Sequence, residues 1–425
     1  MFEWSETDLM IRDAVRGFIA KEIRPNLDAL ESGEITPYPI IRKLFAEFGI
    51  DAMSRDSVEK MLAKEQARAS GDAPRGDGGK DDDDEEGGSG DALSGRDSMM
   101  AVVISELAGA CMGLVSALGV SLGLGATTIA SRGTLAQKER WLPGIMTMEK
   151  VASWAITEPD SGSDAFGGMR TYVRRDGDDY ILNGRKTFIT NGPYADVMIV
   201  YAKLDEGPGT GDADKRNRKV LTFVLDKGMD GLTQGPPLAK MGLHSSPTGE
   251  LFFDNVRLGR DRLLGESEEG RGGDGRESAR SSFTAERIGV ATMALGIIEE
   301  CRRLCIEYSR ERTLWGQEIG RFQLIQLKLA KMEVARMNVQ NMVFTSIERA
   351  RAGKPLSLAE ASAMKLYSSE AATEVAMEAV QLFGGNGYMA EYRVEQLARD
   401  AKSLMIYAGS NEIQVTHIAK GLLAR

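Results

Sequence analysis

The chain has 425 residues, 42% of them hydrophobic, more than one ordinary core needs, so two or three domains are expected rather than a single motif. Lys and Arg number 53 against 63 Asp and Glu, a net charge of −10, so no overall positive field exists to gather nucleic acid or an anionic membrane. Gly71 to Gly95 holds nine acids and two bases and carries −7 of that charge, leaving the remainder close to neutral.

Ser5 with Asp8 three residues on predicts a capped helix start, and Ile11, Val15, Phe18 and Ile19 mark one face at helical spacing. The opening residues carry acids where a signal peptide needs bases and then an apolar run, which makes cytoplasm the expected compartment. Helical patterns run to about Pro143, giving an all-α N-terminal domain over 1–150. It is interrupted at about 71–95 by the Gly- and Asp-rich insertion, which has too few apolar side chains to order itself. The adjacent like charges of Asp81–Glu86 lack the alternating ligands and turn glycine of a calcium loop, so no metal is expected. Leu107 to Ser131 carries no charge and contains Gly119-x-x-x-Gly123. It is crowded with Gly, Ala, Ser and Thr and has no aromatic belt, so it predicts a buried helix pair rather than a membrane span. Cys111, Cys301 and Cys305 make neither a disulfide framework nor a metal site and point to a reducing compartment.

From about 151 to 264 the period changes to two. Runs at Tyr180–Leu182, Lys186–Thr190, Val197–Tyr201, Val220–Leu225 and Leu251–Val256 predict a β-domain the size of a small sandwich or barrel. Asn183-Gly184, between two of these runs, predicts a tight hairpin turn. Gly265–Ser281 reads as a second charged loop. Over 282–425 the chain is helical again, with one helix from Glu286 to about Arg312. A second is striped by Phe322, Ile325, Leu329, Met332, Val339 and Val343 and stopped by Gly353, and a third is capped by Ser357-x-x-Glu360. The first two pair antiparallel, as in a bundle.

Within this α, β, α order stand several motifs. Ala155-Ile156-Thr157-Glu158-Pro159-Asp160-Ser161-Gly162-Ser163-Asp164 and Thr187-Phe188-Ile189-Thr190-Asn191-Gly192 lie in the β-domain. Glu311-Arg312-Thr313-Leu314-Trp315-Gly316, Phe322-Gln323, Gln381-Leu382-Phe383-Gly384-Gly385-Asn386-Gly387-Tyr388 and Arg399-Asp400-Ala401-Lys402 follow in the helical end. With these motifs in this order the chain closely resembles the acyl-CoA dehydrogenase family of flavoproteins, over nearly its whole length apart from the acidic insertion. The resemblance implies an α+β fold: an N-terminal helical domain, a middle β-barrel domain and a C-terminal four-helix bundle, with FAD bound non-covalently at their junction. It also implies α,β-desaturation of an acyl-CoA thioester to a trans-2-enoyl-CoA, as in fatty acid β-oxidation. Electrons then pass to an electron-transfer flavoprotein, and the enzyme is a homodimer or homotetramer.

The residue types suit that chemistry. Hydroxyls and backbone amides around Ile156, Thr157 and Thr190 match the polar edge of a flavin ring, and Phe188 its face. Ser163 resembles the family serine that meets both cofactor and substrate. Arg312 is a forked, permanently charged donor of the kind a pyrophosphate needs. By the resemblance Arg312, Phe322, Gln323 and the Gln381–Gly385 stretch (Gln381, Gly384 and Gly385) reach the FAD of a neighbouring subunit. Glycine there lets backbone approach a phosphate or ring closely. The resemblance adds Ser410 and Glu412 to the cofactor set, and Tyr407 to the substrate set.

A carboxylate of raised pKa in a dry site is the usual base for this reaction. Many family members place it after the Tyr of a C-terminal loop that here reads Tyr407-Ala408-Gly409-Ser410-Asn411-Glu412, and Ala408 cannot accept a proton. Members resembling the long-chain and isovaleryl enzymes carry it instead on the first helix of the C-terminal domain, directly before an arginine. This chain has Thr284-Ala285-Glu286-Arg287 there. A small Ala408 opens the space that a carboxylate on the facing helix must cross, so Glu286 is the expected catalytic base and Arg287 its neighbour near the CoA. Outside that frame, Glu286-Arg287 reads as an exposed helix N-terminus, where acids are common. Two departures stand out. The Pro-Glu-x-x-Gly-Gly loop usual after Gly49-Ile50 is absent, and Thr284 stands where some relatives have an Asp that holds the pantetheine. His244 and His417 have no partner ligands nearby and read as structural. The alternatives are a flavin monooxygenase or oxidase of the same fold, which does not need Glu286, and a non-catalytic flavin-binding relative.

Overall fold

The structure is a computed structural model whose described residues are 3–70, 90–207, 216–269 and 274–424. Most of the acidic insertion, residues 71–89, lies outside them. Residues 90–95 are helical backbone, so the helix after the insertion begins earlier than composition predicted.

The first helix, α1 (Glu6–Phe18), opens as the sequence predicts: Ser5 Oγ accepts from the Asp8 N–H at 3.1 Å and the Asp8 carboxylate accepts from the Ser5 N–H at 3.0 Å. After α2 (Leu27–Ser32) and α3 (Tyr38–Glu47), the stretch that lacks the Pro-Glu-x-x-Gly-Gly loop forms α4 (Ile50–Ser70). Then come α5 (Gly90–Gly119), a π-helical segment Val120–Ala126, α6 (Thr127–Arg132) and α7 (Leu135–Met146). Val58, Met61 and Leu62 of α4 pack with Trp141 and Ile145 of α7. The stretch Asp97–Arg132 is long and apolar enough to cross a membrane by composition, yet 72% of its most apolar window is buried in the fold. α5 breaks at Cys111 (φ −159°, ψ 88°), and there Arg393 donates to the Gly109 carbonyl at 2.9 Å and to that of Ala110.

Seven strands follow: β1 (Ala152–Ala155), β2 (Tyr172–Asp176), β3 (Asp179–Thr190), β4 (Val197–Leu204), β5 (Val220–Asp226), β6 (Leu232–Gln234) and β7 (Thr248–Leu258). They form one sheet in the order β1-β4-β2-β3-β7-β6, with β5 also on β4. β4 is buried at every position because it is covered on both faces. Asn183-Gly184 is not the hairpin turn. Those residues lie inside β3 at a register slip against β7, and the turn falls instead between Asp176 and Asp179, where Gly177 takes φ +65°. The glycine is needed at 184 for another reason, since a Cβ there would lie 2.7 Å from the Thr171 Cα.

The last part is helical: α8 (Gly275–Glu311), a short hairpin of β8 (Thr313–Leu314) and β9 (Gln317–Glu318), α9 (Gln323–Arg351), α10 (Leu358–Phe383), α11 (Val394–Ser403) and α12 (Asn411–Leu423). The predicted loop through Ser281 is shorter than expected, because Asp274 accepts from the Arg276 N–H at 3.1 Å and starts α8 at Gly275. Glu286 therefore sits well inside a helix, beyond the first turn where the dipole alone favours an acid. α8 packs on α5, α9 and α10, and α10 on α11 and α12. One core joins Val15, Phe18 and Leu107 from the first helices to Val290, Ile297 and Val339 from the last.

Candidate active site

The sequence-predicted residues fall into three groups. In the first, β3 slips register against β7 between Lys186 and Ile189, and Phe188 in that bulge adopts φ +57°. A bulge re-aims the side chain it carries, and here the ring faces outward, 67% exposed. Thr187 N–H donates to the Thr157 carbonyl at 2.9 Å, which seats the Ile156–Thr157 backbone beside this bulge. Ile156 is buried, Thr157 and Thr190 are half-buried, and Ser163 is exposed on the turn beyond Glu158.

A buried ion pair fixes that backbone. Lys186 Nζ donates to the Ile156 carbonyl at 3.0 Å and to Glu158 Oε1 at 2.8 Å, and Glu158 also accepts from the N–H groups of Arg170 (2.6 Å) and Thr171 (2.9 Å). Burial pulls the Lys186 ammonium down to about 8, against the attraction of Glu158. Burial pushes Glu158 the other way, but Lys186 and the two backbone donors outweigh it and hold the carboxylate below its ordinary value. Asn191 ties the bulge to its surroundings: its Nδ2 donates to the carbonyls of Ala117 and Ala152, both at 2.9 Å, and its Oδ1 accepts from the Tyr38 hydroxyl at 3.0 Å.

The second group gathers where α8 meets α10 and the Tyr407–Asn411 turn. Glu286 is half-buried, and burial raises it to about 7 despite the nearby charges of Arg287 and Lys365. Such a carboxylate can take up a proton near neutral pH. Arg287 is buried and donates from Nη1 to Ser362 Oγ at 3.0 Å, and its Nε is left without a partner. Tyr407 is half-buried beside Met293, and burial raises its hydroxyl above the ordinary value. Ala408 takes φ +55° and Gly409 φ +79°, a left-handed pair that turns the chain away before α12. Ser410 precedes α12, and Glu412 is exposed in its first turn, held below its ordinary value by backbone N–H and the Ser410 hydroxyl.

The third group lines an open cleft of about 830 Å³. Arg312, Phe322, Gln323, Gly384 and Gly385 all face it, whereas Gln381 does not line it. Its wall includes Tyr308 and Phe383, stacked at 4.0 Å with planes 13° apart, and Phe322 meets Trp315 edge-on at 5.6 Å. A guanidinium, an amide, aromatic faces and open backbone suit a ligand with both phosphates and flat rings, and so fit a flavin dinucleotide. No β-domain residue and no part of the Glu286 group lines this cleft. Arg312 lies at the far end of α8, roughly 39 Å from Glu286 at the rise of an α-helix.

Glu158, Lys186, Asn191 and Asn411 stand within the runs and motifs read from the sequence but had no role assigned there, and Lys365 and Gln414 escaped the sequence reading. For Lys365 a signal existed: Ser362, Lys365 and Ser369 are polar residues at helical spacing on an otherwise Ala-rich helix, and all three are buried.

Comparison with known proteins identifies the family of the chain. Residues 81–149, 153–256 and 273–423 match the models of the acyl-CoA dehydrogenase N-terminal, middle and C-terminal domains. A short-chain-specific acyl-CoA dehydrogenase of Megasphaera elsdenii is 38% identical over 338 residues, 79% of this chain and 84% of that protein. The caffeyl-CoA reductase-Etf complex subunit CarC of Acetobacterium woodii is 32% identical over 99% of this chain and 100% of its own. The structure of butyryl-CoA dehydrogenase from Megasphaera elsdenii superposes with a TM-score of 0.82 at 32% identity, covering 100% of both chains.

Proposed function

Because this chain belongs to the acyl-CoA dehydrogenase family of flavin-dependent oxidoreductases, we propose that it binds FAD and desaturates an acyl-CoA thioester to a trans-2-enoyl-CoA, with Glu286 as the base. The observation that carries this reading is a half-buried carboxylate raised to about 7, next to Arg287 and across from a turn in which Ala408 offers no competing acid. Glu286 takes the proton from the carbon next to the thioester carbonyl. Bound FAD supplies the acceptor for the hydride that leaves the neighbouring carbon. Neither a monooxygenase nor a non-catalytic relative needs a carboxylate so placed. Incubation with acyl-CoAs of graded length and a dye acceptor tests it: a trans-2-enoyl-CoA is expected by mass spectrometry, and unchanged acyl-CoA refutes the assignment.

Only ionised Glu286 accepts a proton, so the rate of flavin reduction is expected to rise with pH through a midpoint near about 7 and to fall about tenfold per unit well below it. Rapid-mixing measurements between pH 5 and 9 read this directly, and a flat profile contradicts it.

Within the same reading, Phe188 covers the flavin face, while Ile156, Thr157 and Thr190 meet its polar edge. Ser163, Arg287 and Tyr407 attend the thioester and CoA, and Ser410 and Glu412 border the cofactor. Arg312, Phe322, Gln323, Gly384 and Gly385, without Gln381, which lies off the cleft, hold the FAD of a second copy, and the enzyme is then a homodimer or homotetramer. The span of α8 between Glu286 and Arg312 supports this, since one ligand at the base cannot also rest on the far cleft. Arg312→Ala is expected to weaken FAD retention by about tenfold or more, the worth of a charge-assisted hydrogen bond, measured as flavin per chain after dialysis. Electrons pass to an electron-transfer flavoprotein, in keeping with the Acetobacterium woodii relative being a subunit of a caffeyl-CoA reductase-Etf complex. The free cysteines Cys111, Cys301 and Cys305 suit a reducing compartment such as cytoplasm.

A further inference from the structure

The core of α10 holds a lysine that proton abstraction and flavin binding leave unexplained. Lys365 is fully buried, and its Nζ donates to the Gly409 carbonyl and to Asn411 Oδ1, each at 2.9 Å. Among the described residues no carboxylate lies within ion-pair distance of it, so a buried cation rests on neutral oxygens alone, an arrangement that costs stability.

What those oxygens belong to is informative. Gly409 and Asn411 belong to the turn beside the Glu286 group, and Gln414 Nε2 secures the same turn by donating to the carbonyls of Ala408 (3.0 Å) and Gly409 (2.6 Å). Ser369 Oγ adds a bond to Asn411 Oδ1 at 3.1 Å. One turn of α10 before Lys365, Ser362 accepts from Arg287, and a Cβ built on Gly409 would lie 3.8 Å from Arg287 Nη2. Lys365 and Arg287 thus belong to one network joining α8, α10 and the turn.

We propose that Lys365 is a positioning residue for the base: its ammonium fastens the Tyr407–Asn411 turn to α10, and with Arg287 it supplies the positive charge that Glu286 faces. This rests on the reading of Glu286 as the base. The charges that act on Glu286 are Arg287 on α8 and Lys365 on α10. Glu370 on α10 and Glu412 on α12 act on Lys365, Tyr407 of the turn feels Glu286, and His417 on α12 feels Arg287. Burial pulls Lys365 down to about 8, Arg287 adds to that, and Glu286, Glu412 and Glu370 oppose it, so it is charged in the range where Glu286 titrates.

The test compares the pH dependence of flavin reduction in FAD-loaded wild type, Lys365→Met and Asn411→Asp. The probe is whichever acyl-CoA of a graded panel bleaches the wild type fastest. Removing the cation disfavours the carboxylate, so Lys365→Met is expected to move the acid-limb midpoint upward by about one pH unit, the lower end of the effect of a nearby opposite charge. Reduction at pH 7 slows accordingly. Asn411→Asp keeps the lysine but places a counter-charge on it, and is expected to raise the midpoint in the same direction. It remains informative if Lys365→Met does not fold. A flavin-loaded variant of either kind with the wild-type midpoint overturns the proposal. Bleaching that persists in Glu286→Gln instead removes the reading on which it rests.

Discussion

Glu286→Gln is expected to slow flavin reduction by acyl-CoA about a thousandfold at pH 8, within the range a positioned general base contributes, while leaving flavin content unchanged. The amide keeps the shape of the side chain and loses only the ability to take a proton. The turn carries Ala408 where an acid could compete, and Glu412 is exposed in the first turn of α12. The variant does not suffer in stability either. The folded-state value of Glu286, about 7, lies above the ordinary 4.5, so the folded chain holds that proton more tightly than the unfolded one. The stabilisation this gives is complete below about 4.5 and is lost as pH rises through about 7. At pH 8 glutamine removes a buried charge, so its melting temperature is expected to equal or exceed that of the wild type. Rapid-mixing absorbance and thermal melting check the two halves, and reduction within tenfold of the wild type means the base lies elsewhere.

Lys186→Met is expected to have the largest effect on stability, about 3–5 kcal/mol, because removing one partner strands the other as an uncompensated buried charge. Glu158 is 4% exposed and would keep its two backbone donors but lose its counter-ion, while the Ile156 carbonyl loses its donor. The loss falls on the segment that sets Ile156 and Thr157 beside Phe188, so flavin is expected to leave before the helical core melts. Urea unfolding followed in parallel by flavin release and by far-ultraviolet dichroism separates these events. A cost below about 1 kcal/mol, the level of an exposed pair, contradicts a load on this ion pair.

The sequence carried the helices and the order of the parts because those signals are local. The Ser5–Asp8 and Ser357–Glu360 caps form as spaced, and Gly353 follows the end of α9 with φ +66°. It misled at Asn183-Gly184, where glycine serves a close approach to Thr171 rather than a turn, and where the strand slips register against β7, about seventy residues on. Glu286, Arg287 and Tyr407 were legible through motifs, and the fold brings them together. Lys186, Asn191 and Asn411 were not, since their meaning lies in bonds to backbone carbonyls and turns far along the chain. The start of α8 was missed because Asp274 caps it inside a Gly-rich charged run that resembles a loop by composition.

The most direct test of the central claim is an anaerobic titration of the purified yellow wild-type protein with acyl-CoAs of graded length and branching. Bleaching of the flavin absorbance by at least one of them is the result expected of a desaturating site. Tight binding of every acyl-CoA with the flavin left oxidised contradicts it.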